Sequence, residues 1–398
     1  MEPDPEPVPP TITIIGDDLT GTAEAAAVFH RHGYAARLLL RSDDRSGPAP
    51  VGEVRAVDTD TRQLTAGQAA ERAARAVAAA GDGLLVGKLD SLLRGHLVPH
   101  LAALRSDRHP VVFTPALPVQ GRIVTGGVAR DGRPIGGAPL AELLVPLPVE
   151  LVPALPVPEL TGRIAAAARH GRIAVCDATD DADLDRLVAA TRQLPGVRYA
   201  GAAGLIAALA RSADLSEVSC PMRQLSSDKS VLMVVGTAAE AAVGQIERLV
   251  AERPGVGVWT WAGDAAGRDH EAGTASAIAD RLRSGGTAVL RLPRPAGAAG
   301  TTGTTPPDAP RLVAGLARVV ERATMGAAAS LVLTGGHTAR AVLDRLGVGS
   351  LTVTGEIHHG AVVARGDGGP TVVTRPGSFG AADSLLRIHD RLRTRGTR

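Results

Sequence analysis

The stretch Thr11-Ile-Thr-Ile-Ile-Gly-Asp-Asp-Leu-Thr-Gly-Thr22 decides how this chain folds. Thr11–Ile15 is a short β-branched run with turn residues directly behind it, which reads as a fully buried strand. Gly16 to Gly21 ends that strand, and an Ala-rich helix from about Thr22 to His32 follows, closed by Gly33. An all-apolar strand that passes through a tight turn into a helix is the opening of a βα unit. Such units predict a parallel sheet covered on both faces.

Working outward, the alternation continues. Strands are expected at Ala35–Leu40, Val54–Val57, Leu84–Val86, Val111–Phe113, Ile173–Val175 and Val197–Ala200, with helices near Ala66–Ala80, Leu97–Leu104, Asp181–Arg192 and Leu205–Arg211. Pro134–Pro158, rich in Pro and Gly with apolar residues between, reads as a β-rich excursion or an extended arm. The polar segment Ser216–Lys229 breaks the pattern. Val231–Val235 then starts a second series, with strands at Gly257–Thr260, Ala288–Leu292, Leu331–Thr334, Leu351–Thr354 and Thr371–Thr374. Its helices fall near Ala239–Ala251, Glu271–Ser284, Arg311–Thr324, Ala339–Leu346 and Ala381–Arg393, and Pro293–Pro310 interrupts it as a mobile Gly, Thr and Pro loop. The expected fold is α/β, two α/β domains with mainly parallel sheets and an interdomain cleft. Residues 1–10 read as a disordered tail, 11–215 as the first domain, 216–229 as a linker and 230–398 as the second domain.

Composition narrows the function classes. The 398 residues hold three Phe, two Trp and two Tyr, so the core is built from Val, Leu, Ile and Ala. Of 43 basic residues only Lys88 and Lys229 are lysines, the rest being arginines, which looks like GC-rich codon usage. A net charge of +2 and few aromatics argue against nucleic-acid partners. No apolar run approaches a membrane span, and the acidic, Pro-rich start lacks a signal-peptide pattern. Cys176 and Cys220 cannot make a disulfide framework, so a reducing cytoplasm is expected. Neither lysine sits in a Gly-Lys-Ser/Thr loop, which excludes a P-loop NTPase. No GxGxxG, GxSxG or HExxH pattern is present either.

Ligands of open α/β sheets bind at the carboxyl ends of strands, and the polar residues collect there. Asp17 and Asp18 follow the first strand. Asp18 or Thr20 can cap the next helix, but two adjacent acids cannot both be caps, which leaves at least one to face a ligand, a metal or a proton. Lys88, Asp90, Ser91 and Arg94 lie together in Gly87-Lys-Leu-Asp-Ser-Leu-Leu-Arg-Gly-His96 after another apolar strand. A polar turn with an internal ion pair would explain them structurally. One of only two lysines in an arginine-rich chain points instead to an anion pocket. Arg62, in Asp58-Thr-Asp-Thr-Arg62, could clamp a carboxylate through its fork. In the second half Gly236-Thr237, Thr334-Gly-Gly-His-Thr338 and Pro376-Gly-Ser-Phe-Gly380 all end strands. Three glycine turns at one sheet edge, each before a helix whose free N–H groups suit phosphate, point to a nucleotide.

In order along nearly the whole chain, these motifs resemble those of the four-carbon acid sugar kinase family, whose members act on D-threonate, D-erythronate and 3-oxo-tetronate. The opening D-D-L-T-G turn is Asp17 to Gly21, the S-R loop is Thr61-Arg62, and K-x-D-S-x-L-R-G runs from Lys88 to Gly95. Pro115-Ala-Leu-Pro118 with Gly121-Arg122 matches a further block. The second half matches at Gly236-Thr237 with Gln245-Ile246, Gly335-Gly-His-Thr338, Gly355-Glu-Ile357 with Gly360, and Arg375-Pro-Gly-Ser-Phe-Gly380. Departures are His96 and His100 for the family's Asn and Glu, His337 for Glu, Arg375 and Pro376 for Lys and Ser, and a shortened segment after Gly126.

The resemblance implies a sugar-acid-binding first domain and an ATP-binding second domain. Asp17, Arg62, Lys88, Leu89, Asp90, Ser91 and Arg94 would hold the substrate, and Thr237, Gly335, Gly336, His337, Thr338, Gly377 and Gly380 the nucleotide. The expected activity is ATP-dependent phosphorylation of a hydroxyl on a small sugar acid. Arg62 and Lys88 would bind the carboxylate, and Asp17, or failing it Asp90, would act as base. Arg94 could steady the phosphoryl group, and Mg2+ would bridge the ATP phosphates, held mostly through waters, with one carboxylate as a further candidate ligand. Phe379 is the one aromatic expected near adenine. A catalytically impaired regulator that binds nucleotide or metabolite is the alternative, and an isomerase or hydrolase using Asp17 and Asp18 is a third reading. The specific acid and the oligomeric state stay open, a homodimer included.

Overall fold

The computed structural model describes residues 11–40, 52–81, 83–106, 109–213, 230–261, 263, 267–293, 309–377 and 380–394. The Met1–Pro10 tail, the Ser216–Lys229 linker, nearly all of the Pro293–Pro310 loop, Cys220 and Phe379 lie outside them. The chain divides into two compact units, Met1–Cys220 and Pro221–Arg398.

The first unit runs β1 Ile12–Gly16, α1 Leu19–Arg31, β2 Ala35–Leu39, β3 Glu53–Asp58, α2 Ala66–Ala78, β4 Leu84–Lys88, α3 Leu97–Leu104 and β5 Val111–Thr114. It continues through β6 Arg122–Thr125, β7 Val128–Asp131, β8 Arg133–Pro134, α4 Leu140–Leu143, β9 Val149–Val152, α5 Val157–Arg169, β10 Ile173–Cys176, α6 Asp181–Thr191, β11 Arg198–Gly201 and α7 Ala203–Ser212. Its sheet has the order β2-β3-β1-β4-β11-β5-β10-β9, parallel at every pairing. All five residues of β1 are buried, and α1 is buried on every side from Leu19 to Phe29. Its alanines let it settle closely against β3 and α7, which is how a chain with few rings closes its core.

Three features differ from the sequence expectation. Helix α1 begins at Leu19, three residues early, because the Asp18 side chain accepts from the Gly21 N–H and supplies the cap. The Pro134–Pro158 stretch holds a single helical turn, α4, and the sheet-edge strand β9, with the antiparallel ribbon β6-β7-β8 just before it. Helix α5 was not expected at all. Pro158 sits in its first turn, where its missing N–H is harmless, and Leu160, Ile164 and Ala167 form its buried stripe.

The second unit runs β12 Val231–Val235, α8 Glu240–Glu252, β13 Gly257–Thr260, α9 Gly267–Arg283, β14 Thr287–Arg291, α10 Ala309–Thr324, β15 Ser330–Thr334, α11 Gly336–Arg345, β16 Ser350–Glu356, β17 Val362–Gly366, β18 Thr371–Arg375 and α12 Ser384–Arg393. The order is β13-β14-β12-β15-β18-β17-β16. The first five are parallel, while β17 runs antiparallel to both β18 and β16. Strand β17, like β6 and β7 of the first unit, is absent from the sequence reading, hidden between Gly360 and Gly366. An aliphatic cluster including Val231, Met233, Val235, Ile246, Leu249, Val332, Val373 and Ile388 fills the core. No helix of the described residues is long and apolar enough to cross a membrane.

Candidate functional site

Parallel register brings the polar strand ends of the first unit to one edge. Gly16 pairs with Asp58 on one side and Lys88 on the other, and Lys88 pairs with Gly201. The segment after β3 then folds back over β1: the N–H groups of Thr61 and Arg62 donate to the Asp17 carbonyl at 3.1 and 3.3 Å. That turn needs a left-handed residue, and Asp60 supplies it at φ 47°, its N–H donating to Asp58 Oδ1.

Arg62 is thereby delivered onto Asp17 from 45 residues away. Its Nε donates to Asp17 Oδ2 at 2.9 Å and its Nη2 to Oδ1 at 2.7 Å, a bidentate fork, and Nη2 also reaches Asp18 Oδ1 at 2.9 Å. The fork expected to clamp a ligand's carboxylate is thus engaged by two carboxylates of the protein. Asp18 is the helix cap, and Asp17 is the second acid, 2% exposed. Burial pushes the Asp17 carboxyl up, and Asp18 adds to this, against the lowering influence of Arg62 and Lys88. Burial works against the charge of Arg62, but Asp17, Asp18 and Asp90 together hold it above its ordinary value.

The loop after β4 supplies the facing charges. Arg94 donates through Nε and Nη2 to Asp90 Oδ2 and Oδ1 at 2.7 and 2.8 Å, the internal ion pair that a purely structural reading predicts. Burial tends to raise the Asp90 carboxyl. The Arg94 hydrogen bonds and the charges of Arg62, Arg94 and Lys88 override it and hold Asp90 well below the usual carboxylate range. Leu93 adopts φ 59°, a left-handed conformation that costs a bulky residue about 1–2 kcal/mol. Lys88 is 5% exposed, and its Nζ donates to the Leu89 carbonyl. A Cβ on Gly21 would lie 2.7 Å from that Nζ, so the ammonium rests directly on the first turn of α1. Gly95, at φ 86°, is equally close to Asp17 and Arg62. Leu89 itself is core, its N–H donating to the Gly201 carbonyl.

Two contributors had no role assigned from the sequence, His100 being noted only as a departure from the family pattern and Arg122 only within a matching block. The buried His100 Nε2 bonds Thr61 Oγ1 at 2.7 Å, Thr61 Oγ1 bonds Thr59 Oγ1 at 3.0 Å, and Thr59 Oγ1 donates to the Gly16 carbonyl at 2.7 Å. Because the Thr59 proton goes to Gly16, Thr61 donates to Thr59 and His100 must donate to Thr61. Burial, assisted by His96 and Arg62, lowers His100 to about 4, so the imidazole is neutral. Arg122, the first residue of β6, donates from Nη1 to Ser91 Oγ at 2.7 Å. No periodicity marks either residue. Both matter through contacts 31 to 39 residues distant.

In the second unit register again aligns the turns: Val235 pairs with Thr334, and Thr334 with Arg375. Gly335 caps α11 at φ 98°, and its N–H donates to the Arg375 carbonyl. Thr338 packs on Gly236, where a Cβ would fall 1.8 Å from its Oγ1. A Cβ on Gly377 would contact both Thr237 and Gly335 at 3.5 to 3.7 Å. Thr237, Gly335, Gly336, His337, Thr338 and Gly377 therefore converge at the N-terminus of α11, where backbone N–H groups and the helix dipole favour an anion. Behind them Gln245 accepts from Arg375 Nη1 at 2.7 Å and donates to the carbonyls of Gly380 and Ala381, both at 3.0 Å. Gly380 thus takes part through a strut beneath the turn. Burial lowers the Arg375 guanidinium to about 10.

Comparison with known proteins gives a consistent picture. Residues 12–142 match a family model described as a sugar-binding N-terminal domain, and residues 232–385 one described as a nucleotide-binding C-terminal domain. D-threonate kinase of Bordetella bronchiseptica is 32% identical across 97% of this chain and 98% of its own. 3-oxo-tetronate kinase of Methylobacterium radiotolerans is 27% identical across 94% of this chain and 98% of its own. The crystal structure of a Salmonella typhimurium protein has a TM-score of 0.75 at 19% identity, covering 95% of this chain and 98% of that one, a likeness of fold.

Proposed function

The chain belongs to the four-carbon acid sugar kinase family and is an ATP-dependent kinase of small sugar acids; we propose that Asp17 is its catalytic base, in a cytoplasmic enzyme. The observation that carries this reading is a carboxylate raised by burial, oriented bidentately by Arg62 at a strand end, with Lys88 beside it. The attacking hydroxyl oxygen forms a bond to the γ-phosphorus of ATP as the bond to the β,γ-bridging oxygen breaks. The hydroxyl proton passes to Asp17, and ADP leaves. Asp90 is the poorer base, because the cations around it hold it fully ionised.

The acid substrate is proposed to lie against Lys88, Ser91 and the Asp90–Arg94 pair, with Arg62 setting the position of Asp17. ATP is proposed to place its phosphates on Gly335–Thr338 and Thr237, covered by the Gly377 turn. Among the described residues no cluster of three or more His, Cys, Asp or Glu side chains could hold a metal ion. Mg2+ is therefore proposed to come with the nucleotide, neutralising its phosphates. The test is ADP release measured over a panel of four- and five-carbon sugar acids. Turnover of a four-carbon acid is expected. ATP binding with no turnover of any acid would return the impaired regulator as the reading.

A further inference from the structure

We infer that Arg122 receives the carboxylate of the sugar acid, an inference that rests on the kinase reading above. A carboxylate is recognised best by two parallel N–H groups of a guanidinium. Three guanidiniums border the strand-end site of the first unit. Arg62 directs Nε and Nη2 onto Asp17, and Arg94 directs Nε and Nη2 onto Asp90. Both forks already hold a carboxylate of the protein. Lys88 offers a point charge without a fork.

Arg122 differs. Its Nη1 donates to Ser91 Oγ, a neutral acceptor. Its Nε is buried without a hydrogen-bond acceptor, and the nearest carboxylate, Asp131 Oδ2, stands 3.6 Å away on a half-exposed side chain. Asp131 therefore screens the guanidinium weakly and leaves it to a better-placed anion. Ser91 accepts from Arg122, so its own hydroxyl proton can go to the same ligand. Ser91 follows Asp90, whose Oδ1 is 3.9 Å from Arg62 Nη2, and Arg62 holds Asp17. A substrate anchored on Arg122 and Ser91 is consequently beside the base.

The ribbon that carries Arg122 is rigid. Leu117 and Arg122 exchange backbone hydrogen bonds across the left-handed Gly121. Val124 and Ala178 do the same, tying the ribbon to the segment after β10. The Asp177 carboxylate accepts from the N–H groups of Gly126 and Gly127 at 2.7 and 2.9 Å. Arg122 is thus presented by a fixed element, as a specificity residue should be.

The experiment uses the full-length enzyme and the acid it turns over best among D-threonate, D-erythronate and 3-oxo-tetronate. Arg122→Gln and Arg122→Lys are compared with wild type. With two charge-assisted hydrogen bonds removed, R122Q is expected to raise KM for the acid roughly 100-fold. R122K should fall between wild type and R122Q, with KM for ATP unchanged. An unchanged KM for the acid overturns the inference. So does an equal rise in KM for the acid and for ATP, which marks a purely structural arginine. A wild-type enzyme that turns over none of the acids overturns the kinase reading, a failure distinct from that of Arg122.

Discussion

The two units place a site at the same position in the same kind of sheet and build it from opposite materials. In the first, side chains do the work: Asp17, Asp18, Asp90, Arg62, Lys88 and Arg94 form a balanced charge network, with each carboxylate oriented by a cation. In the second, the backbone does it: Gly236, Gly335 and Gly377 bring three turns within contact, and the polar support, Gln245 and Arg375, lies behind them. The difference follows from what each must hold. A hydroxyl about to attack needs a titrating group at a defined distance. A polyphosphate needs N–H groups and room.

That contrast can be broken from either side. Asp17→Asn is expected to have the largest effect, lowering kcat by roughly a thousandfold through loss of the proposed base. ATP affinity, measured by calorimetry, should not move, because Asp17 lies outside the proposed nucleotide site. An unchanged kcat would remove Asp17 from the chemistry.

Arg62→Gln probes the network without removing the base. Arg62 lowers the Asp17 carboxyl through its charge and hydrogen bonds. Taking it away should raise that carboxyl further, so more Asp17 is protonated at a given pH. The acid limb of kcat/KM should therefore move to higher pH, by about one unit or more. A limb that moved down, or stayed, would show that a different group titrates.

On the nucleotide side, Gly335→Ala should cost about 1–2 kcal/mol, since its φ is 98° while no atom closer than 4.0 Å would meet the new Cβ. The penalty is conformational, not steric, and should appear as a KM for ATP raised roughly tenfold, with KM for the acid unchanged. A parallel loss in both would blur the division between the units.

The smallest effect is expected at His100. Gln can still donate to Thr61 Oγ1 and should leave kcat nearly intact. Leu cannot, and should lower stability by about 1–3 kcal/mol as the Thr61 and Thr59 hydroxyls lose their directed chain. Thermal unfolding and kcat measured for H100Q and H100L separate these outcomes. Equal behaviour of the two variants would deny the hydrogen bond any importance.

Much of this was legible in the sequence because the signals are local. Alternating apolar runs and helix periods placed most of the strands and helices, and turn residues at strand ends marked Asp17, Lys88, Gly236 and Gly335 as candidates. Legibility failed where the deciding feature was non-local or concealed. Helix α5 was hidden by the proline that begins it, and β17 by the glycines around it. Asp18 was one of two possible caps until its carboxylate met the Gly21 N–H. Arg62 was marked as a fork for a ligand's carboxylate and not as the partner of Asp17, and Arg122 entered only as part of a matching Gly-Arg block with no role attached.

By itself, the sequence determined the α/β class, the two series of units and the residues able to carry charge or bind phosphate, since these depend on periods of a few residues and on side-chain chemistry. Only the tertiary structure decided which arginine meets which aspartate. Parallel register sets Gly16 beside Asp58 and Lys88. At that edge Arg62 meets Asp17, Arg94 meets Asp90, and burial raises the Asp17 carboxyl against the cations beside it.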